Sequence, residues 1–248
     1  MARLTPASVF VKDPIDVWGR EVGIGLSELA VRNHSVPKMF DRRGNVAYWD
    51  DFESPTLKYT NYTSGAASSV ARSTDFAYMG DYSVKAITDA TLGDYAGVLY
   101  RLSDLHLGKI GSEFKFSTAD DDYLIRLLMT YHDGTNENSA ILRWTESTGN
   151  LDYLKPDSSY GSIATGIERY QANGNWGTVK LVIDTDANKY VRALFFGNEY
   201  DLSEYTLFTG ASAYKPHVEI LFRLETAENV AKTGYIDSFI LTDDEVAA

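Results

Sequence analysis

Two stretches decide the fold: Tyr123–Tyr131, which reads YLIRLLMTY, and Val218–Leu224, which reads VEILFRL. In the first, Tyr123, Ile125, Leu127, Met129 and Tyr131 occupy every second position; in the second, Val218, Ile220, Phe222 and Leu224 do the same. Successive side chains of a β-strand point to opposite faces, so this period of two gathers each set on one face, where a helix would scatter it. Working outward, the same alternation recurs in Glu113–Phe116, in Ala140, Leu142 and Trp144, in Val179, Leu181 and Ile183, and in Val191, Ala193 and Phe195. Val46–Phe52, Ser83–Thr88 and Tyr235–Leu241 read as further strands. Between the runs stand turn signals: Asp133-Gly134, Gly149-Asn150, Gly174-Asn175, Asp186-Ala187-Asn188 and Gly197-Asn198. Many short strands, each with one buried face, predict an all-β antiparallel sandwich or barrel over residues 46–248.

Composition agrees. The chain has 248 residues, within the size of a single sandwich, and no cysteine, which excludes disulfides, thiolate metal sites and a cysteine nucleophile. Its 17 Tyr, 11 Phe and 4 Trp favour strands. A formal net charge of -12 opposes duplex nucleic acid and anionic membrane surfaces as partners, because both need a basic face. No apolar run reaches the roughly 18 residues of a membrane span, and Met1–Val17 does not read as an export signal.

Residues 1–45 read differently, as a partly helical N-terminal arm. Asp13-Pro14 is a helix start, and Trp18, Val22, Leu26 and Leu29 follow at helical spacing. Gly19, Gly23 and Gly25 each weaken such a helix by about 1 kcal/mol relative to alanine. The arm is therefore expected to dock through Trp18, Val22, Leu26 and Leu29 onto a partner.

Four short motifs follow in order: Asp50-Asp51-Phe52-Glu53-Ser54, Gly80-Asp81-Tyr82-Ser83-Val84-Lys85, Trp176-Gly177-Thr178-Val179-Lys180-Leu181, and Gly234 through Leu241. Their order resembles the jelly-roll carbohydrate-binding modules and the wider concanavalin-like lectin and glucanase sandwiches, over residues 46–242. Lys189–Arg192 through Tyr200–Ser203 resembles the concanavalin-like half. The arm and sandwich together resemble virion-associated proteins of tailed phages. The resemblance implies a structural calcium tying the first strand to the last, and the matching positions are Asp51, Glu53 and Asp237. Calcium takes about six to eight oxygens; without it these are ordinary strand-end carboxylates. No other cofactor is expected.

If the apolar residues point inward, Arg126, Arg143, Lys180, Arg192 and Arg223 point outward, with Glu219 sharing their face. That row is either a solvated face of cross-strand ion pairs or a docking face for an acidic partner or a glycan. Tyr59, Tyr62, Tyr153, Tyr160 and Tyr170 fall in or near loops, where sugars or partner proteins stack on rings. Catalysis is not expected. The E-x-D-x-x-E carboxylate spacing of the concanavalin-like glycosidases is missing, the four histidines His34, His106, His132 and His217 form no zinc motif, and neither a nucleophile elbow nor a phosphate loop occurs. The expected role is a non-enzymatic virion structural protein, a capsid decoration or head or tail accessory protein, self-associating or binding a capsid or tail protein through its arm. The alternative is an extracellular carbohydrate-binding module.

Overall fold

The computed structural model describes residues 41, 43–103 and 108–246. The chain runs β1 (Asn45–Asp50), β2 (Thr60–Thr63), β3 (Ser69–Ser73), β4 (Ser83–Ile87), β5 (Tyr95–Leu102), β6 (Lys109–Ser117), β7 (Tyr123–His132) and β8 (Asn136–Thr145). After a 3-10 turn at Glu146–Thr148 come β9 (Asn150–Leu154), β10 (Tyr160–Ala164), β11 (Gly177–Asp184), β12 (Lys189–Phe195), β13 (Asn198–Asp201), β14 (Phe208–Ala211), β15 (His217–Thr226) and β16 (Thr233–Asp243). A back sheet has the order β13-β12-β11-β6-β16-β4-β3, with β1 beside the second half of β16. A front sheet has the order β10-β9-β8-β7-β15-β5-β2, with β14 on the first half of β8. All pairings are antiparallel, and the compact unit they form begins at Arg43. The arm residues Trp18, Val22, Leu26 and Leu29 lie outside the described residues.

The alternating residues face inward as read. Ile125, Leu127, Met129, Ala140, Leu142 and Trp144 from the front sheet, and Val179, Leu181 and Ile183 from the back sheet, are buried in one core. The centre is aromatic. Phe114 on β6 stacks on Phe239 on β16 at 4.6 Å and on Phe222 of β15 at 5.0 Å, and Tyr100 on β5 meets Phe239 at 4.2 Å. Rings from both sheets thus interlock, with several contacts of the kind worth about 0.5–1.5 kcal/mol beyond area burial. Tyr100 donates to Asp50 Oδ2 at 3.0 Å and the Phe52 amide donates to Oδ1 at 3.1 Å, which satisfies a carboxylate only 2% exposed.

One inward assignment changes. A bulge between Val182 and Ile183 shifts the β11–β12 register, so Tyr190 rather than Val191 joins the core. Tyr190 spans the sandwich: its hydroxyl donates to the Leu154 carbonyl at 2.9 Å and accepts from the Ile141 amide at 3.1 Å. Turns form where the sequence marked them. Gly134, Gly149, Gly174 and Gly197 all take positive φ, where a Cβ would be strained.

Replacing Phe239 with alanine is expected to cost about 3–5 kcal/mol of unfolding free energy. Urea denaturation checks it, and a loss near zero would show that the two sheets are not held by this ring cluster.

Candidate ligand-binding face

The residues that alternate against the core form a second set, pointing out from the front sheet. Because the register is fixed, they line up in rows across the strands. One row reads Tyr62 on β2, Gly97 on β5, Arg223 on β15, Arg126 on β7, Arg143 on β8, Asp152 on β9 and Ser162 on β10. Three arginines therefore stand directly opposite one another on adjacent strands, an arrangement that repels unless compensated. Glu225 bridges two of them, accepting from Arg126 at 2.9 Å and Arg223 at 3.0 Å, and Asp152 accepts from Arg143 at 2.7 Å. Aromatic rings take up the rest. The Arg143 guanidinium lies 3.6 Å over the Tyr160 ring, Arg223 lies 4.2 Å over Tyr95, and Tyr95 stacks on Tyr62 at 5.1 Å. Burial raises the Tyr95 hydroxyl above its usual range, with the Tyr62 hydroxyl adding to it and Arg223 opposing.

The three guanidiniums and two carboxylates leave one excess positive charge. The Nε–H groups of Arg126 and Arg223 are buried without a hydrogen-bond partner. Gly97 sits in the row because nothing larger fits: a Cβ there would come within 2.1 Å of the Phe222 carbonyl oxygen and 2.7 Å of Arg223 Cβ. Two residues along each strand lies an aliphatic row of Leu99, Leu221, Leu128 and Ile141. Beyond it Arg101, Glu219, Thr130 and Ser139 form a polar row, with Arg101 Nε 2.7 Å from Glu219.

Of the basic residues read as one row, Arg126, Arg143 and Arg223 come together, and Glu219 shares their face two rungs away. Lys180 and Arg192 do not. They sit on β11 and β12 of the back sheet, each at most 1% exposed, where both bind the Glu245 carboxylate. Alternation tells in from out, but a sandwich has two outer faces, and period alone does not distinguish them. Glu225 follows Leu224 on the outward phase of β15, so the same period could have found it. Asp152 and Tyr95 carried no such signal.

The loop tyrosines also divide. Tyr62 and Tyr160 flank the arginine row, whereas Tyr59 and Tyr153 are core residues and Tyr170 is 80% exposed. The calcium positions are held by the protein's own donors. Glu53 Oε1 accepts from the Asp81 and Tyr82 amides at 2.9 and 2.8 Å, Asp237 Oδ2 accepts from the Tyr78 amide at 2.6 Å, and Asp51 Oδ1 accepts from the Glu53 amide at 3.2 Å. The Arg72 guanidinium takes the Phe52 and Glu53 carbonyls and lies 3.4 Å over Tyr82. Oxygens that a calcium would recruit at this seam thus already serve amides and a guanidinium.

Asp237 is fully buried, and burial pushes its carboxyl up to about 7; the amides of Tyr78, Met79 and Ser238 oppose the shift and Glu53 adds to it. The folded protein therefore keeps a proton that the unfolded chain loses near the ordinary value of 3.8. Stability from this group is complete below that value and is lost as pH rises through about 7. Unfolding free energy is expected to fall with rising pH across this window, and less steeply in Asp237→Asn. Equal slopes in the two proteins would show that Asp237 does not titrate there.

No protein-family model and no curated protein matches the chain. Among solved structures it is similar to the cellulose-induced protein Cip1 (TM-score 0.55, 13% identity, covering 81% of this chain and 99% of that one). It is also similar to an endo-β-1,4-glucuronan lyase from the fungus Trichoderma reesei (TM-score 0.54, 10% identity, 80% and 95%) and to the potassium-bound carbohydrate recognition domain of Emp46p (TM-score 0.53, 10% identity, 82% and 100%). At such identities the likeness is one of fold, and this fold carries an enzyme and a recognition domain alike. The described residues form an all-β antiparallel sandwich of the concanavalin-like, jelly-roll kind.

Proposed function

We propose that the outer face of the front sheet binds an acidic carbohydrate chain without cleaving it. The observation that carries this reading is the Arg223–Arg126–Arg143 row, with one positive charge more than its two carboxylates balance. In a chain of net charge -12 such a row is an exception. A planar guanidinium presents paired donors that suit carboxylate or sulfate groups. Tyr62 and Tyr160 wall the two ends of the row, and the aliphatic row beside it offers the apolar patches of a pyranose a matching surface.

Binding without cleavage is supported by the carboxylates of the row. Glu225 and Asp152 are each committed to guanidinium groups rather than standing as a facing acid and base. The fold neighbours named for recognising carbohydrate and for lysing glucuronan support a saccharide ligand on this architecture. The virion-assembly reading rests on arm residues 1–45, whereas the glycan reading rests on side chains that the fold brings together. Such a binder would act at a cell surface, secreted or displayed on a particle.

Affinity electrophoresis and calorimetry with polyglucuronate and with a neutral β-glucan test the proposal. Expected are binding of the polyuronate alone, weakening with added salt, and a loss of roughly tenfold or more in Arg143→Ala and in Arg223→Ala, since each removes a charge-assisted hydrogen bond. Equal binding of the neutral polymer, or unchanged affinity in both variants, would overturn the acidic-ligand reading.

A further inference from the structure

The far end of the same face carries a second cluster, independent of the arginine row. His217 and Glu219 are two residues apart on β15 and so share a face, and His132 on β7 stands directly opposite His217. A potential ligand atom from each of the three lies within 4.8 Å of the others. The imidazole rings of His132 and His217 stack at 4.4 Å with 10° between their planes. Tyr214 stands edge-on to both rings, at 5.3 and 6.2 Å.

The hydrogen bonds at His217 orient its ring. Its Nδ1 lies 2.7 Å from the Lys215 carbonyl oxygen, which only accepts, so Nδ1 carries the hydrogen. Its Nε2 faces Glu219 Oε1 at 3.2 Å, so an imidazole nitrogen and a carboxylate oxygen are turned toward one another, a pair of atoms that can share a divalent cation. On His132, Nδ1 is engaged by Ser212 Oγ at 3.0 Å. Each ring is thus held through Nδ1 by an oxygen, the outer arrangement that orients a metal-ligating imidazole for coordination through Nε2.

We propose that His132, His217 and Glu219 form a binding site for a zinc-class divalent cation. Two imidazoles and one carboxylate suit zinc, with a further position open to water or a ligand oxygen. Tetrahedral ligands at about 2.0–2.1 Å from zinc stand ~3.3 Å apart. Binding therefore draws the three side chains together, with rotation of one ring out of the parallel stack. Arg101 is the competitor already in place: its Nε lies 2.7 Å from Glu219 Oε1, and its side chain is 55% exposed and so able to swing away.

The test uses the full, tag-free chain with Zn²⁺ alone, followed by calorimetry, and with Co²⁺ alone, followed by its visible ligand-field absorption. Expected are one ion per chain, a loss of roughly tenfold or more in affinity in His217→Gln and in His132→Asn, and no cobalt band in the double variant. Arg101→Ala is expected to tighten binding, a gain that a merely structural role for the cluster would not produce. His34→Ala and His106→Ala are expected to bind as the parent does. Circular dichroism of each variant establishes that it is folded; His217→Gln and Arg101→Ala, both at part-exposed side chains, keep the test open if His132→Asn is not. Absence of a cobalt band in the parent protein, or full binding by folded His217→Gln, would overturn the site.

Discussion

Everything on the outer faces depends on one contact inside, the interlocking of Phe114 and Phe239 from the back sheet with Phe222 and Tyr100 from the front sheet. Side chains in a regular strand alternate, and β15 pairs with β7 and β5 without a register shift, so fixing Phe222 inward fixes Arg223 outward. A slip of one residue would bury three guanidiniums and expose the rings. The core therefore selects the register, and the register sets which residues form the outer face. The energetic order matters: burying large rings supplies the driving force, and the compensated arginines are tolerated because their strands have no other place to lie.

The sequence shows this logic well on the strands it marks most strongly. On β7 and β15 the alternation was complete enough to read inward and outward sets residue by residue, and Arg126, Arg143 and Arg223 followed. It was less legible on β5, where YAGVLYRL is apolar on both phases because Leu99 is also buried on the outer side. It misled at β12, where an extra residue exchanges Val191 for Tyr190. It was silent on which sheet a strand joins, because β6 pairs with β16 and β7 with β15, partners about a hundred residues apart in sequence. Hence Lys180 and Arg192 were grouped with arginines that lie across the sandwich.

The seam between first and last strands is held by charged side chains paired with backbone groups. Arg72 joins two carbonyls, while Glu53 and Asp237 gather four amides of the 78–82 segment between them. Carboxyl groups on backbone amides, and a guanidinium on carbonyls, satisfy one another's neighbourhood with hydrogen bonds. The raised carboxyl of Asp237 is the residue of that arrangement, since burial there outweighs three donated amide bonds.

The absence of a side chain at Gly97 has a consequence for how this surface could diversify. With the strand backbones approaching so closely at that rung, the position between Tyr62 and the first arginine, Arg223, cannot take added bulk. Variation is confined to the margins, at Tyr62 on one edge and at Tyr160 and Ser162 on the other. A ligand lying along the proposed face would then meet its adjustable contacts at these edges, which bear on how much of a polymer is covered rather than on which group the arginines pair with.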